Sequence, residues 1–145
     1  MLNRPKAYDV NYWKSSKSSP DTWVERTKDE IKGIGGIILS ELAGTMNGKT
    51  AFMIAFQLDD HYYKIVYEVL PIDDPKDLIA AKRQAATAMY HEVKALCVAA
   101  KFRGVKAAFN SYLVLEDGRT VAEHTEPDLI ESLPKVFLIS PRTDN

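Results

Sequence analysis

The segment from Asp73 to Gly104 constrains the fold of this chain more than any other part of the sequence. Asp74 and Pro75 begin it, Gly104 ends it, and neither Gly nor Pro occurs between Pro75 and Gly104. Asp is a favoured N-cap, Pro is favoured at the first helical position, and Gly is the usual C-terminal stop. The pattern therefore predicts a single long helix over this segment.

The two sides of this predicted helix differ in chemistry. The apolar side carries Leu78, Ala81, Ala85, Met89, Val93, Leu96 and Ala100, with Ala86, Tyr90 and Cys97 beside them. The other side carries Arg83, Thr87, His91, Lys94 and Lys101. This division predicts an alanine-rich packing face, which lets another element approach closely, backed by a mildly basic polar stripe.

Three segments before the long helix alternate apolar residues in the manner of β-strands. We expect strands over 37–43, 50–58 and 61–70, joined by turns at 44–49 and 59–60. Runs of this length, separated by turn residues, are typical of an antiparallel meander. The second and third segments are apolar on both faces, so we expect one face of the sheet to pack against the long helix and the other to be partly covered as well.

Shorter elements are expected on either side of this core. A helix should begin at Ser19-Pro20-Asp21 and end at Gly35-Gly36. The elements expected after the long helix are a strand over 105–115, a turn at Asp117-Gly118, a return strand over 119–123, a short helix starting from Thr125, Pro127 and Asp128, and a last strand or extended strap over 135–139. The predicted fold class is α+β: an antiparallel β-meander packed by one long helix, with an N-terminal helix and a C-terminal hairpin plus a short helix.

The sequence predicts one folded domain behind a polar leader. Residues 1–18 are irregular and rich in Ser and Lys, which predicts a flexible leader, and residues 19–145 form the single α+β domain. Tyr12 and Trp13 are unusual in such a leader, because disordered tails contain few aromatic residues. We expect this pair to dock, either on the core of its own chain or on a neighbour.

Composition places the chain among ordinary globular proteins. Its formal net charge is −1, so any nucleic-acid binding must come from a local patch. Cys97 is the only cysteine, which indicates a reducing, cytoplasmic location. The N-terminus does not resemble a signal peptide, and no apolar run approaches the ~18 residues of a membrane span. A membrane partner is therefore not expected.

Charge is distributed unevenly along the chain. Between Lys76 and Lys106 there are seven basic and two acidic residues, whereas between Glu116 and Glu131 there are six acidic residues and one Arg. Opposite charges on separate parts of one chain can pair between subunits. This asymmetry favours a self-assembling structural or interaction protein, and hence a homo-oligomer.

Two motifs that suggest phosphate or metal chemistry are better explained by local structure. The run from Gly44 to Thr50 resembles a phosphate-binding loop, but it has three residues between its glycines instead of four, and it leads into a strand instead of a helix. We interpret it as a hairpin loop.

Glu92 and Lys94 match part of a nuclease metal site, but on a helix they lie about 200° apart and cannot converge on one metal. We interpret them as solvated helix charges.

No diagnostic catalytic or metal-binding motif is present, so we assign no catalytic residue, no metal site and no cofactor. The three histidines and Cys97 lack metal-ligand spacing, and no nucleophile elbow occurs. One alternative remains open for an enzyme. Asp59, Asp60 and His61 could hold a carboxylate–imidazole pair, although a turn is the first interpretation of these residues.

The basic residues of the long helix have two interpretations, a solvated helix face or a nucleic-acid-binding surface. The phosphate-contacting residues of this hypothesis are Lys82, Arg83, Lys94, Lys101 and Arg103, and the residues that stack on bases are Tyr62 and Tyr63. Lys14, Lys17 and Tyr67 would extend this surface. Cations combined with aromatic stacking platforms are typical of proteins that bind single strands.

The order of elements over residues 22–104 resembles the β-β-β-α core of the Rad52-like single-strand annealing proteins. The long helix carries the run Lys82-Arg83-Gln84-Ala85-Ala86 and ends at Phe102-Arg103-Gly104, where that family has a Phe-Gly type of stop. The resemblance implies that the chain binds single-stranded DNA as an oligomeric ring, without cofactor or chemistry. The segment 113–123 also resembles small phage and prophage proteins.

Three functional hypotheses therefore follow from the sequence. The first is a non-enzymatic, phage-type accessory protein that binds single-stranded nucleic acid as an oligomer. The second is a self-assembling structural or interaction protein without a nucleic-acid role. The third is an enzyme with a site near Asp59, Asp60 and His61.

Overall fold

The computed structural model describes residues 4–46 and 48–125. Its first long element, helix α1, spans Pro20–Gly33. The side chain of Ser19 caps the helix by accepting a hydrogen bond from the backbone N–H three residues later, at 3.3 Å. The helix stops before Gly35, whose φ of +95° is a left-handed conformation that Gly adopts without steric cost. Both predicted ends of this helix are confirmed.

An antiparallel sheet of three strands follows α1. The strands are β1 (Ile37–Met46), β2 (Lys49–Leu58) and β3 (His61–Glu68), and they pair in the order β1-β2-β3. Asp59 and Asp60 join β2 to β3 with φ angles of +53° and +65°. A two-residue turn with both residues in the left-handed region matches the twist of a hairpin. The predicted meander is confirmed.

The first hairpin is longer than predicted. Pairing continues to Thr45 opposite Thr50 and Met46 opposite Lys49, so most of the expected turn at 44–49 belongs to the strands. The residues that resemble a phosphate-binding loop therefore close a hairpin and lead into β2. Their interpretation as a hairpin loop is confirmed.

The long helix, α2, spans Leu78–Arg103. A single 3-10 turn, Pro75–Asp77, leads into it, and the Asp74 side chain caps this turn by accepting a hydrogen bond from the Lys76 N–H at 2.9 Å. The helix ends at Gly104, where φ is +92°. The predicted helix, its start signal at Asp74-Pro75 and its stop signal at Gly104 are confirmed.

One face of the sheet and the two helices enclose the core. The buried residues of this core are Val24 and Ile31 from α1, Phe52, Ile54, Phe56 and Leu58 from β2, Tyr63 and Ile65 from β3, and Ala85, Ala86, Met89, Val93 and Cys97 from α2. Small residues let α1 lie close to α2, and the Cys97 thiol reaches the Glu30 carbonyl at 3.5 Å. The alanine-rich face of α2 therefore packs as predicted.

The polar side of α2 is more buried than its sequence suggests. Thr87 was predicted on the exposed stripe but is buried, and its hydroxyl donates to the Arg83 carbonyl at 2.6 Å. Gln84 is buried as well. The N-terminal segment crosses α2 at this level, and its backbone carbonyls contact the Gln84 amide.

Residues 4–18 lie against α2 and against the segment that precedes it. Ala7 is fully buried, and its N–H donates to the Pro71 carbonyl at 2.8 Å. The Gln84 amide nitrogen donates to the carbonyls of Ala7, Val10 and Asn11 at 2.7, 3.2 and 3.0 Å. The leader is thus clamped through its backbone. The placement of a boundary at residue 18 stays a prediction.

The prediction of a strand over 105–115 is wrong. Gly104 is followed by a short helix, α3 (Val105–Ala108), and by a 3-10 turn at Asn110–Tyr112. Phe109, between them, is fully buried and packs edge-on against Phe56 and Tyr63. Burying this one large ring requires the chain to fold back on itself, and an extended strand would carry it past the core.

The predicted return strand over 119–123 is also replaced by tighter structure. Only isolated bridges form here, between Tyr63 and Leu113 and between Val114 and Thr120. A 3-10 turn, Ala122–Thr125, then ends the described chain. The turn at Asp117-Gly118 is confirmed, because the Leu115 N–H donates to the Arg119 carbonyl at 2.8 Å across it. The expected helix after Thr125 and the expected last strand over 135–139 lie outside the described residues.

Candidate nucleic-acid interface

Four aromatic rings meet on one surface where the leader crosses α1 and α2. Tyr12 stacks on His91, with ring centroids 5.0 Å apart and planes 10° apart. Trp23 lies 5.2 Å from Tyr90 and 5.9 Å from His91. Tyr12 and His91 are exposed, and Trp23 and Tyr90 are half-buried. The rings therefore form a continuous aromatic surface that solvent reaches.

Cationic side chains lie directly beside these rings. The Arg26 guanidinium is 4.7 Å from the centre of the Trp23 ring, and the Lys94 ammonium is 5.9 Å from the centre of the Tyr90 ring. Contacts at these distances are cation–π interactions, which leave the charge available to other partners. We call this surface, formed by Tyr12, Trp23, Arg26, Tyr90, His91 and Lys94, the aromatic–basic face.

A cleft of about 260 Å³ lies next to this face. It is lined by Lys14, Lys17 and Arg83, together with Tyr12, Ser16 and Ala80. No acidic side chain lines it in the described part of the chain. We call it the basic cleft, and Tyr12 belongs both to its wall and to the aromatic–basic face.

The backbone of the leader is strained where it forms this cleft. Tyr12 and Lys14 have φ angles of +70° and +52°. Bulky residues rarely adopt the left-handed region, and such conformations persist only where surrounding contacts enforce them. The enforcing contacts here are the Gln84 clamp and the stack of Tyr12 on His91. The fold therefore holds Tyr12 and Lys14 in place at an energetic cost.

The five basic residues predicted to contact phosphates do not lie on one line. Arg83, Lys94 and Lys101 are 11 and 7 residues apart, which returns them to the same side of α2 along about 27 Å of helix. Lys82 lies about 100° before Arg83 around the helix, and Arg103 lies about 200° beyond Lys101. Of the five basic residues predicted to contact phosphates, only Arg83, Lys94 and Lys101 therefore share one side of α2.

The two tyrosines predicted to stack on bases are not on this surface. Tyr63 is only 1% exposed and packs between Phe56 and Phe109, so its ring offers no face to a base. This part of the prediction is corrected. Tyr62 is 55% exposed but projects from the opposite face of β3, away from the helices. The alternation of the strand was visible in the sequence, but the identity of its buried face was not.

Glu92 is not the solvated helix charge that its sequence context suggests. Its carboxylate accepts hydrogen bonds from the Tyr67 hydroxyl and, at 2.7 and 2.8 Å, from the Tyr112 hydroxyl. Burial, and then the bond to this carboxylate, raises the pKa of both tyrosines well above its usual value. The trio ties β3 and the 3-10 turn at 110–112 to α2. It also removes Tyr67 from the predicted binding surface.

The residues of the enzyme hypothesis form a turn. The His61 ring contacts the Asp59 backbone carbonyl at 2.9 Å, and Asp59 and Asp60 occupy the exposed corner between β2 and β3. Among the described residues no group of three His, Cys, Asp or Glu side chains converges as metal ligands do. Burial raises the pKa of the Cys97 thiol to about 11, which makes it a poor nucleophile.

A second cavity adjoins the face and is bordered by Tyr12 and Gln84. It has a volume of about 440 Å³ and is lined by Tyr12, Val66, Tyr67, Ala88 and Tyr112, among others. Its walls are mainly aromatic and aliphatic, the composition that favours an apolar or planar group of a ligand. Tyr12 thus borders both hollows.

Sequence reasoning found part of this interface. It predicted that Tyr12 docks, and it selected Arg83 and Lys94. It missed Trp23, Arg26 and His91 as members of the surface, because these residues match ordinary helical periodicity in elements nearly seventy positions apart. Only tertiary packing brings them together.

Comparisons of this chain with family models, curated proteins and solved structures found no match. None of the helices in the described residues has the length and apolar character needed to cross a bilayer.

Proposed function

We propose that this protein binds single-stranded nucleic acid on the aromatic–basic face and acts without catalysing a reaction, as an accessory protein of the phage type. The observation that carries this proposal is the contact between Tyr12, His91, Trp23 and Tyr90 with cations beside the rings. Single-strand binders combine stacking rings with a positively charged track along the backbone, and every base has a face on which a ring can stack.

Lys94 of this face, and the two cations aligned with it on α2, Arg83 and Lys101, are available to meet phosphates. Among the described residues, none of the ion pairs involves Arg83, Lys94 or Lys101. Their span of about 27 Å corresponds to about eight nucleotides of a stacked strand at ~3.4 Å each. A duplex would present its bases to each other and leave the rings without a partner, so single strands are favoured.

Binding of labelled single-stranded DNA, duplex DNA and RNA at two salt concentrations tests the proposal. Three phosphate contacts give a slope of about −2 in log affinity against log salt, so raising salt from about 50 to 200 mM should weaken single-strand binding about twentyfold. Duplex DNA should bind more weakly at both concentrations. Single-strand binding that is absent at low salt, or insensitive to salt, would refute the proposal.

Charge-reversal variants distinguish binding at specific residues of the proposed interface from general electrostatic attraction to the protein. The double substitution Arg83→Glu with Lys94→Glu should abolish binding at 200 mM salt. The matched control, Lys32→Glu with Lys106→Glu, changes the net charge equally at exposed positions outside the face. Equal losses in both variants would show that the face has no special role. Tyr12→Ala should cost ~1–3 kcal/mol of binding free energy, whereas Tyr12→Phe should keep the stack.

We also propose that the chain self-assembles through the free edge of β1. In the described residues β1 pairs with β2 only, and Ile37, Leu39 and Leu42 are 59%, 50% and 45% exposed on this strand. A long edge strand with exposed apolar residues is a template for pairing with a second chain. This proposal is compatible with strand binding, because an oligomer can bind DNA.

Light scattering coupled to size-exclusion chromatography tests the assembly. We expect an oligomer that Leu39→Lys with Leu42→Lys converts to a monomer, since charged side chains on an edge block pairing. Tyr62→Lys, at an exposed apolar position of β3, is the control and should leave the oligomer intact. A wild-type chain that stays monomeric at high concentration would refute this proposal.

A further inference from the structure

The basic cleft is more positive than the rest of the proposed interface. Lys14, Lys17 and Arg83 share one cleft of about 260 Å³, whereas Lys94 and Lys101 lie a full seven residues apart on α2. Lys14 has one acidic neighbour, Asp77, at 3.6 Å, a long distance for an ion pair. Three cations that crowd together without full neutralisation repel one another, and an anion placed among them relieves this repulsion.

Arg83 lines the cleft. Its Nε is buried and has no hydrogen-bond partner in the described part of the chain, although a buried polar group is normally paired. A guanidinium offers a planar fork of donors that fits the oxygens of phosphate. The cleft thus combines unbalanced charge with a donor group of suitable geometry. Ser16, also in its wall, adds a hydroxyl.

The charge of the cleft suits a terminal phosphate better than an internal one. A phosphodiester inside a strand carries one negative charge, whereas a phosphate monoester carries about 1.5 to 2 at neutral pH and has three acceptor oxygens. The cleft also lies at one end of the aromatic–basic face, because Arg83, which lines it, is near the start of α2. Tyr12 stands between the cleft and the rest of the face. A strand that stacks its bases along the face reaches the cleft with its last nucleotide.

We propose that the basic cleft binds the terminal phosphate monoester of a single strand, so that the protein recognises strand ends. This inference rests on the proposed strand-binding function, and it adds a preference that simple backbone binding does not have. The shared chemistry is the monoester, which either the 5′ or the 3′ end of a strand can supply.

Three internally labelled oligonucleotides of one sequence test the inference. One carries a 5′-phosphate, one a 3′-phosphate, and one has hydroxyl groups at both ends. We expect one of the phosphorylated strands to bind about tenfold more tightly than the hydroxyl-ended strand, which is the scale of one charge-assisted hydrogen bond. The arm that shows this gain identifies the end that is recognised.

Variants of the cleft should remove the preference. Lys17→Ala should bring the affinity ratio of phosphorylated to hydroxyl-ended strand close to one, and Arg83→Lys should lower it because a point charge cannot form the fork. Lys106→Ala is the charge-matched control and should keep the wild-type ratio. Lys17 is exposed, so its replacement should not disturb folding, and unchanged thermal unfolding would verify this.

The outcomes separate this inference from the function beneath it. Equal affinity for all three strands would overturn recognition of strand ends and leave strand binding intact. Failure of every strand to bind at low salt would overturn both proposals. A preference that survives Lys17→Ala and Arg83→Lys would overturn the assignment to the basic cleft.

Discussion

Replacing Glu92 by alanine removes the acceptor that two buried tyrosine hydroxyls share. The carboxylate accepts from Tyr67 and, at 2.7 and 2.8 Å, from Tyr112. After the substitution, each partly buried hydroxyl loses its partner, and leaving one buried polar group unsatisfied costs about 1–3 kcal/mol. The two together predict a loss of about 2–6 kcal/mol in the free energy of unfolding. This is a large fraction of the ~5–15 kcal/mol typical of a whole domain.

Urea denaturation followed by circular dichroism measures this loss. Glu92→Gln keeps one acceptor oxygen and should cost less than Glu92→Ala. Glu116→Ala, at an exposed position, is the control and should change stability by less than about 0.5 kcal/mol. In a double-mutant cycle, Tyr112→Phe should lose most of its effect once Glu92 is absent. A loss for Glu92→Ala no larger than that of the control, or additive effects in the cycle, would refute the reasoning.

Four further predictions follow from buried groups. Tyr63→Phe should leave stability unchanged or raise it, because the Tyr63 hydroxyl is buried without a hydrogen-bond partner in the described residues; a clear loss in urea denaturation would contradict this. Gln84→Ala should speed proteolysis and hydrogen exchange of the leader, since it removes the amide group whose two N–H donors are shared among three carbonyls of that segment. Cys97 should react slowly with a thiol reagent in native protein and quickly in urea, because burial raises its pKa to about 11. The free energy of unfolding should fall as pH rises above about 10, because Tyr67 and Tyr112 then ionise in the unfolded chain but keep their protons in the folded one. A free energy of unfolding that does not change at alkaline pH would count against the raised pKa of these two tyrosines.

The parts of the fold that were predicted correctly are those whose ends are set by local start and stop signals in the sequence. The cap at Ser19, the start at Asp74-Pro75 and the stop at Gly104 each determine backbone conformation through contacts within a few residues. Those signals therefore survive any tertiary arrangement. The paired aspartates between β2 and β3 act in the same way.

The segment after Gly104 shows where local patterns fail. Its alternation of apolar residues is that of a strand, but the requirement to bury Phe109 against Phe56 and Tyr63 produces a short helix and a 3-10 turn instead. That requirement exists only once β2 and β3 have paired. No short stretch of the sequence therefore reveals that Phe109 must be buried in this way.

The candidate site was only partly predictable for a related reason. Arg83 and Lys94 were selected because basic residues on a helix stand out in the sequence. The aromatic rings beside them come from three separate segments, and the leader reaches them through backbone carbonyls that any residue supplies. Because these contacts are made by backbone carbonyls, the pattern of side chains in the leader does not predict them.

Under the proposed function, the clamp that Gln84 places on the leader would make affinity for a strand depend on the fraction of molecules in which the leader is closed. Tyr12, Lys14 and Lys17 all belong to the clamped segment, so the complete interface exists only in molecules whose leader is closed. The apparent dissociation constant then equals the intrinsic one divided by the closed fraction. A leader closed half of the time weakens binding twofold, whereas one closed in about 1% of molecules weakens it a hundredfold. By the same linkage, a strand bound as proposed would hold the leader shut, so the clamp would tune affinity without touching the ligand.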